Sequence, residues 1–238
     1  MQVAIALFPK ATILDAIGPY QVFAGVPDAE VVVCAAWKGR VSDAGGRVHI
    51  DVEHTFDDVP EPDVLLVPGG NVTRQMTHDD PILDWIRSAH EHTIYTASVC
   101  TGALLLAAAG LLRGRRATTH GVAYDALREY GAEPIEQRVV FQDRIVTGAG
   151  VSAGIDLALE IAARLSGPEV AQSIQLSLEY DPQPPFDAGS PTNAPQAVMN
   201  RLQSMVSLWQ SPQRRRPVGS VGRVSAEEVA SDGQAVER

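Results

Sequence analysis

An α/β fold, a largely parallel sheet flanked by helices, is the class this sequence predicts. Two observations carry the prediction. Short apolar runs alternate with stretches of helical periodicity along most of the chain. Several of those runs also stop at small-residue turns that lead into a helical segment, as where 64–67 meets Pro68-Gly69-Gly70. The length of 238 residues allows one domain with a full hydrophobic core.

Taken in order, residues 3–8 form a continuous apolar run, the mark of a strand buried on both faces. Residues 15–25 carry Ile17, Tyr20, Val22 and Phe23 and predict a helix opening near Asp15 and Pro19. Residues 29–36 are a second strand, and residues 48–51 a short excursion of hairpin type rather than another βα unit. Residues 64–67 are a third core strand, and 81–92 a helix with Ile82, Leu83, Trp85, Ile86 and Ala89 facing inward. A fourth strand over 94–99 stops at Cys100-Thr101-Gly102, and an Ala/Leu-rich helix spans 103–112.

Residues 117–119 are extended and close at His120, and 123–130 are helical. Residues 138–141 and 144–147 flank Gln142-Asp143, a hairpin turn. A small-residue loop over 148–154 feeds a helix over 155–165. Helix continues over 168–179 until Asp181-Pro-Gln-Pro-Pro ends it. From about Trp209 the apolar period is lost, so the expected organisation is a domain over 1–208 and a disordered tail over 209–238.

Composition narrows the function. Apolar residues make up 45% and charged residues 20%, and the formal net charge is −10. Such a surface repels nucleic acid and anionic membrane, so neither is an expected partner. No apolar run approaches the roughly 18 residues needed to span a bilayer. The start, Met1-Gln-Val-Ala-Ile-Ala-Leu-Phe, reads as a first strand and not as a signal peptide. Two cysteines make no disulfide framework, which fits a reducing cytoplasm.

Chemistry concentrates at Cys100. A strand passing into a helix with cysteine at the joint has the form of a nucleophile elbow. Reactive groups in open α/β sheets gather at such strand ends. The helix N-terminus aims free N–H groups and a positive dipole end at the sulfur, which predicts a lowered thiol pKa. Gly69 and Gly70 end a neighbouring strand and offer backbone N–H groups to developing negative charge. Asp15, in apolar company after the first strand, reads equally as a general acid or as a helix N-cap. Thr101 offers a hydroxyl or an N–H beside the sulfur. His120 reads equally as a site residue and as a structural histidine. Cys34 lies inside a strand and reads as core. The other histidines show no metal-ligand spacing, so neither metal nor cofactor is expected.

Four segments together resemble the ThiJ/PfpI superfamily: Val67-Pro-Gly-Gly70, Ser98-Val-Cys-Thr-Gly-Ala103, the stretch from Gly110 to Thr118-Thr119-His120, and Thr147-Gly-Ala-Gly-Val-Ser-Ala-Gly-Ile-Asp156. The run Leu178-Glu-Tyr-Asp-Pro-Gln-Pro-Pro-Phe-Asp resembles the branch that holds isonitrile hydratases and the sensor domains of AraC-type regulators. The resemblance covers about 1–208 and implies a flavodoxin-like sandwich, related to class I glutamine amidotransferase domains. It further implies hydration of an isonitrile to an N-substituted formamide, with Cys100 as nucleophile, Asp15 as acid–base partner and Thr101 beside them. Gly69, Gly70 and His120 are the expected substrate-side residues, and a cytoplasmic homodimer without cofactor is implied.

Two departures bear on function. Proteolytic members carry histidine directly after the cysteine, where this chain has Thr101, and glyoxalase-type members carry glutamate where it has Asp15. A stand-alone ligand or redox sensor of the same fold is the competing reading, with another cysteine-dependent hydrolase or lyase beside it. A DNA-binding regulator is disfavoured, because Arg214, Arg215 and Arg216 are a thin basic footprint in a chain of charge −10.

Overall fold

The computed structural model describes residues 1–210. Residues 211–238, which hold most of the expected tail, lie outside the described part. The chain divides into a unit of residues 1–199 and a second unit from residue 200 onward.

The first strand, β1 (Gln2–Ala6), leads into α1 (Ile13–Phe23) and returns as β2 (Glu30–Ala35). The excursion is a true hairpin, β3 (Gly39–Ser42) against β4 (His49–Val52), standing apart from the main sheet. A two-residue strand β5 (His54–Thr55) then closes the edge beside β2. Next come β6 (Val64–Val67), the short α2 (Thr73–Met76), α3 (Pro81–His92), β7 (Tyr95–Val99) and α4 (Gly102–Ala108). A small parallel ribbon of β8 (Arg116–Ala117) and β9 (Glu133–Pro134) brackets α5 (Tyr124–Glu129). Strands β10 (Val139–Gln142) and β11 (Ile145–Gly148) precede α6 (Ala153–Ser166) and α7 (Pro168–Ser177). Helix α8 spans Gln196–Gln210.

The main sheet has seven strands in the order β10-β11-β7-β6-β1-β2-β5. Every pairing in it is parallel except β10 with β11. From β1 the chain first winds to β2, then crosses back to β6 and continues to β7 and β11. The switch therefore falls between β1 and β6, where the loops leaving the two strands part and open a crevice at the carboxyl edge. Asp15, Gly69 and Gly70 meet along that crevice.

Local causes are visible element by element. In α3, Asp80 caps the helix by accepting from the Ile82 amide at 3.1 Å, and Pro81 holds the first position. Its inward face buries Ile82, Leu83, Trp85, Ile86 and Ala89, as the periodicity predicts. The Trp85 indole donates to the Val59 carbonyl at 2.8 Å and stacks on Phe56. Helix α4 buries Leu104, Leu105 and Leu106, each contributing about 2 kcal/mol of burial.

Some bounds differ from those expected. Pro19 lies inside α1 rather than at its opening, where it removes the bond to the Asp15 carbonyl one turn back. Helix α4 ends at Ala108 because Gly110, at φ 90, turns the chain away. The β10–β11 turn is Asp143-Arg144, since Gln142 already pairs with Ile145, and Asp143 takes the positive φ that such a turn demands. Helix α8 was not expected, although Val198, Leu202, Met205, Val206 and Trp209 repeat at helical spacing.

Candidate active site

Cys100 leaves the end of β7 at φ 59, in the left-handed region that a side chain rarely adopts. Lys10, Asp28, Asp79, Asp143 and Glu179 share that conformation, but all are exposed, and among the described non-glycine residues only Cys100 holds it while buried. Such a conformation costs on the order of 1–2 kcal/mol and persists only where surrounding contacts impose it. Here the Cys100 amide donates to the carbonyls of Gly148 (3.1 Å) and Ala149 (2.8 Å), and the Thr119 hydroxyl donates to the Cys100 carbonyl at 2.8 Å. The elbow expected from the sequence is present, but it does not raise the sulfur into solvent: Cys100 is 5% exposed.

Asp15 comes from the first turn of α1, on the far side of the crevice from β7. Thr12 occupies the N-cap position, so the aspartate is not the cap. Its carboxylate instead reaches across to β6 and accepts the Gly69 amide at 2.9 Å on Oδ2. The crevice floor is stitched at the same level by the Thr12 amide donating to the Gly69 carbonyl at 2.8 Å and by a bridge between Ala11 and Gly70. Asp15 is fully buried, and its Oδ1 has no hydrogen-bond partner among the described residues.

Glycine is required at 69. A Cβ there would stand 2.6 Å from the Thr101 amide nitrogen, 2.7 Å from its hydroxyl and 3.0 Å from Asp15 Oδ2. The Thr101 hydroxyl accepts the Gly70 amide at 3.0 Å, and its one proton has two acceptors within reach, the Gly70 carbonyl at 3.2 Å and the Cys100 sulfur. Both glycine amides are therefore engaged by site side chains in this structure, Gly69 by Asp15 and Gly70 by Thr101. His120 sits on the same edge, half-buried, with Nδ1 accepting the Val122 amide at 3.3 Å and its ring against Gly150. Cys34 is in the core of β2, as expected, and does not approach the site.

Electrostatics at the pair differ from the sequence expectation. Burial pushes the Asp15 carboxyl up to about 7, against the lowering pull of the Gly69 amide and of Cys100. The Cys100 thiol is also pushed up, first by burial and then by the neighbouring Asp15 charge, while the Thr101 amide and hydroxyl pull the other way. A lowered thiol pKa was expected from the helix terminus. Loss of hydration outweighs it, because α4 starts beneath a sealed elbow. Asp15 is thus the group that ionises first, and the sulfur keeps its proton until the carboxylate takes it. Burial also lowers the His120 pKa, leaving that ring neutral at pH 7.

The arrangement holds a thiol, a carboxyl group poised near neutrality with one oxygen unclaimed, and a hydroxyl able to donate to sulfur or carbonyl. It can pass a proton between sulfur and a substrate atom while the sulfur forms a bond. Thr119 was not singled out from sequence, although it stood in the Thr-Thr-His run. Among the described residues no group of three or more His, Cys, Asp or Glu is placed to hold a metal ion, and no helix is long and apolar enough to cross a membrane.

The model of the DJ-1/PfpI family matches residues 1–164. The chain belongs to the DJ-1/PfpI family. Among its DJ-1/PfpI relatives is the isonitrile hydratase of Pseudomonas putida, 46% identical over 201 residues that cover 84% of this chain and 87% of that protein. A ThiJ/PfpI protein of known structure from Pseudomonas syringae superposes with a TM-score of 0.83 at 36% identity, covering 88% of this chain and 87% of the other. A further relative, the HTH-type transcriptional regulator CdhR of Pseudomonas aeruginosa, is 31% identical over 58% of this chain and 40% of its own length.

Proposed function

We propose that this protein is an isonitrile hydratase that converts R–N≡C to R–NH–CHO through a thioimidate on Cys100. The observation that carries the reading is the Asp15–Cys100 pair: a buried carboxyl near pKa 7, with a free oxygen, beside a buried thiol whose backbone is held in the left-handed region. The 46% identity to the hydratase of Pseudomonas putida supports the substrate class.

In the first half-reaction the Asp15 carboxyl protonates the terminal isonitrile carbon, making it electrophilic. Cys100 sulfur then forms the C–S bond while the Asp15 carboxylate takes the thiol proton, giving R–N=CH–S–Cys100 and a carboxyl group again protonated. Donation from the Thr101 amide and hydroxyl steadies the sulfur as its proton leaves. In the second half, water adds across C=N with its proton relayed to nitrogen through Asp15. The resulting R–NH–CH(OH)–S–Cys100 collapses, the C–S bond breaks, and the hydroxyl proton returns to sulfur. Formamide leaves and the thiol is restored.

Gly69 and Gly70 serve this scheme by holding Asp15 and Thr101 in place, and the neutral His120 ring suits an uncharged substrate at the same edge. The chemistry needs no metal or organic cofactor. The same reading carries a cytoplasmic homodimer, which light scattering and cell fractionation test. The deciding experiment is incubation with cyclohexyl isonitrile, following formamide against a Cys100→Ala control. Turnover lost in the variant is the expected result; no turnover across several isonitriles overturns the reading and favours the sensor alternative.

A further inference from the structure

A buried residue in the left-handed region cannot rely on water for its peptide groups, so both must find partners inside the protein. The Cys100 amide has two, at Gly148 and Ala149. The Cys100 carbonyl is less well served by its own helix: the Ala103 amide approaches only to 3.5 Å, and the Leu104 amide goes to Thr101 instead. Its short partner, at 2.8 Å, is the Thr119 hydroxyl. Thr119 is fully buried at the end of the β8 segment, and its neighbour Thr118 is tied to β11 by donating its amide to the Thr147 hydroxyl at 2.9 Å.

We propose that Thr119 is a positioning residue for the nucleophile: its hydroxyl fixes the tilt of the Cys100 peptide unit, and through it the direction in which the sulfur faces Asp15. It touches neither sulfur nor substrate. Ala149 and Thr119 grip the two ends of one residue, so the left-handed turn is held from β11 on one side and from the β8 segment on the other. Thr101 faces the sulfur, whereas Thr119 faces the backbone behind it. The kinetic part of this inference rests on the hydratase reading; the structural part does not.

The test is a pair of variants. Thr119→Val keeps the shape and removes the hydroxyl; it is expected to lower kcat by about 10–100-fold with KM within about twofold, as small misplacements of a reacting group do. It is also expected to shift the pH profile of iodoacetamide alkylation at Cys100, read by mass spectrometry of the Cys100 peptide. Thr119→Ser keeps the hydroxyl and is expected to restore both. An unchanged kcat and alkylation profile in folded Thr119→Val would overturn the proposal. So would equal loss in Thr119→Ser, which folds with the hydroxyl in place and would assign the effect to methyl packing. Should the wild-type protein hydrate no isonitrile, the alkylation profile alone decides the role of Thr119, and the hydratase reading fails separately.

Discussion

The Cα of Gly102 lies so close beneath the carbonyl of Val67 that a methyl group added there would stand 2.2 Å from the oxygen. The helix after the elbow is thereby seated directly on the end of β6, and the Pro68 carbonyl closes the same space at 2.8 Å. Both obstacles are backbone, so neither can swing aside.

Gly102→Ala is accordingly expected to cost about 3 kcal/mol through overpacking and to lower activity by backing α4 away from the crevice. Urea unfolding measures the first effect. Gly189→Ala is the control: a Cβ there meets nothing within 4 Å, and its stability is expected to stay within about 0.5 kcal/mol of wild type.

Asp15 makes stability depend on pH in a defined direction. The folded protein holds the carboxyl proton up to about pH 7, whereas an unfolded chain releases it near 3.8. Between those values the folded state binds more protons, so stability falls as pH rises and levels off above about 7. The Asp15 share of that fall is on the order of 4 kcal/mol at most. Asp15→Asn, which can still accept the Gly69 amide, is expected to flatten the wild-type slope between pH 5 and 8 and to be more stable than wild type at pH 8. It is also expected to abolish turnover. Urea midpoints at the two pH values decide the point.

Thr101→Val strips the acceptor from the Gly70 amide and a donor from the sulfur. We expect kcat to fall by about 10–100-fold, with a stability loss of about 1–3 kcal/mol for the buried amide left unpaired. Thr101→Ser, which keeps the oxygen, is expected to recover most of both. Steady-state kinetics and thermal unfolding read the two effects apart.

The segment after α7 is fastened by a polar knot. Arg138, immediately before β10, donates to Asp156 at 2.8 Å from Nε, and the Tyr180 hydroxyl donates to the same carboxylate at 3.0 Å. The groups are partly exposed, so Arg138→Ala is expected to cost under about 1 kcal/mol. Its larger expected effect is local: faster proteolytic cutting within residues 181–189, scored by mass spectrometry while global stability holds.

Much of this was legible beforehand because it is written in short-range pattern. Continuous apolar runs and Gly-bounded turns placed the core strands to within a residue or two, and the cysteine at a strand–helix joint marked the elbow. That Asp15 meets Cys100 followed from resemblance rather than from spacing, since 85 positions separate them. What stayed hidden depends on which segment arrives from elsewhere. The Gly69 and Gly70 amides read as free donors until Asp15 and Thr101 are seen to occupy them. The thiol read as acidic because the helix terminus is local information, whereas the burial that outweighs it is contributed by the whole sheet edge. Thr119 gave no sign, because nothing in a strand-end threonine reveals whose carbonyl it will bind.

Cys100 is gripped from Thr119, Gly148 and Ala149, all of which follow it in the chain. A ribosome delivering this polypeptide therefore exposes Cys100 well before it delivers the segments that twist its backbone into shape. Until residue 149 has emerged, the cysteine has no reason to leave an ordinary strand or helix conformation, and its thiol is not yet set against Asp15. The left-handed turn at Cys100 is in this sense a late product of synthesis, and a nascent chain ending before β11 lacks the Gly148 and Ala149 carbonyls that hold it.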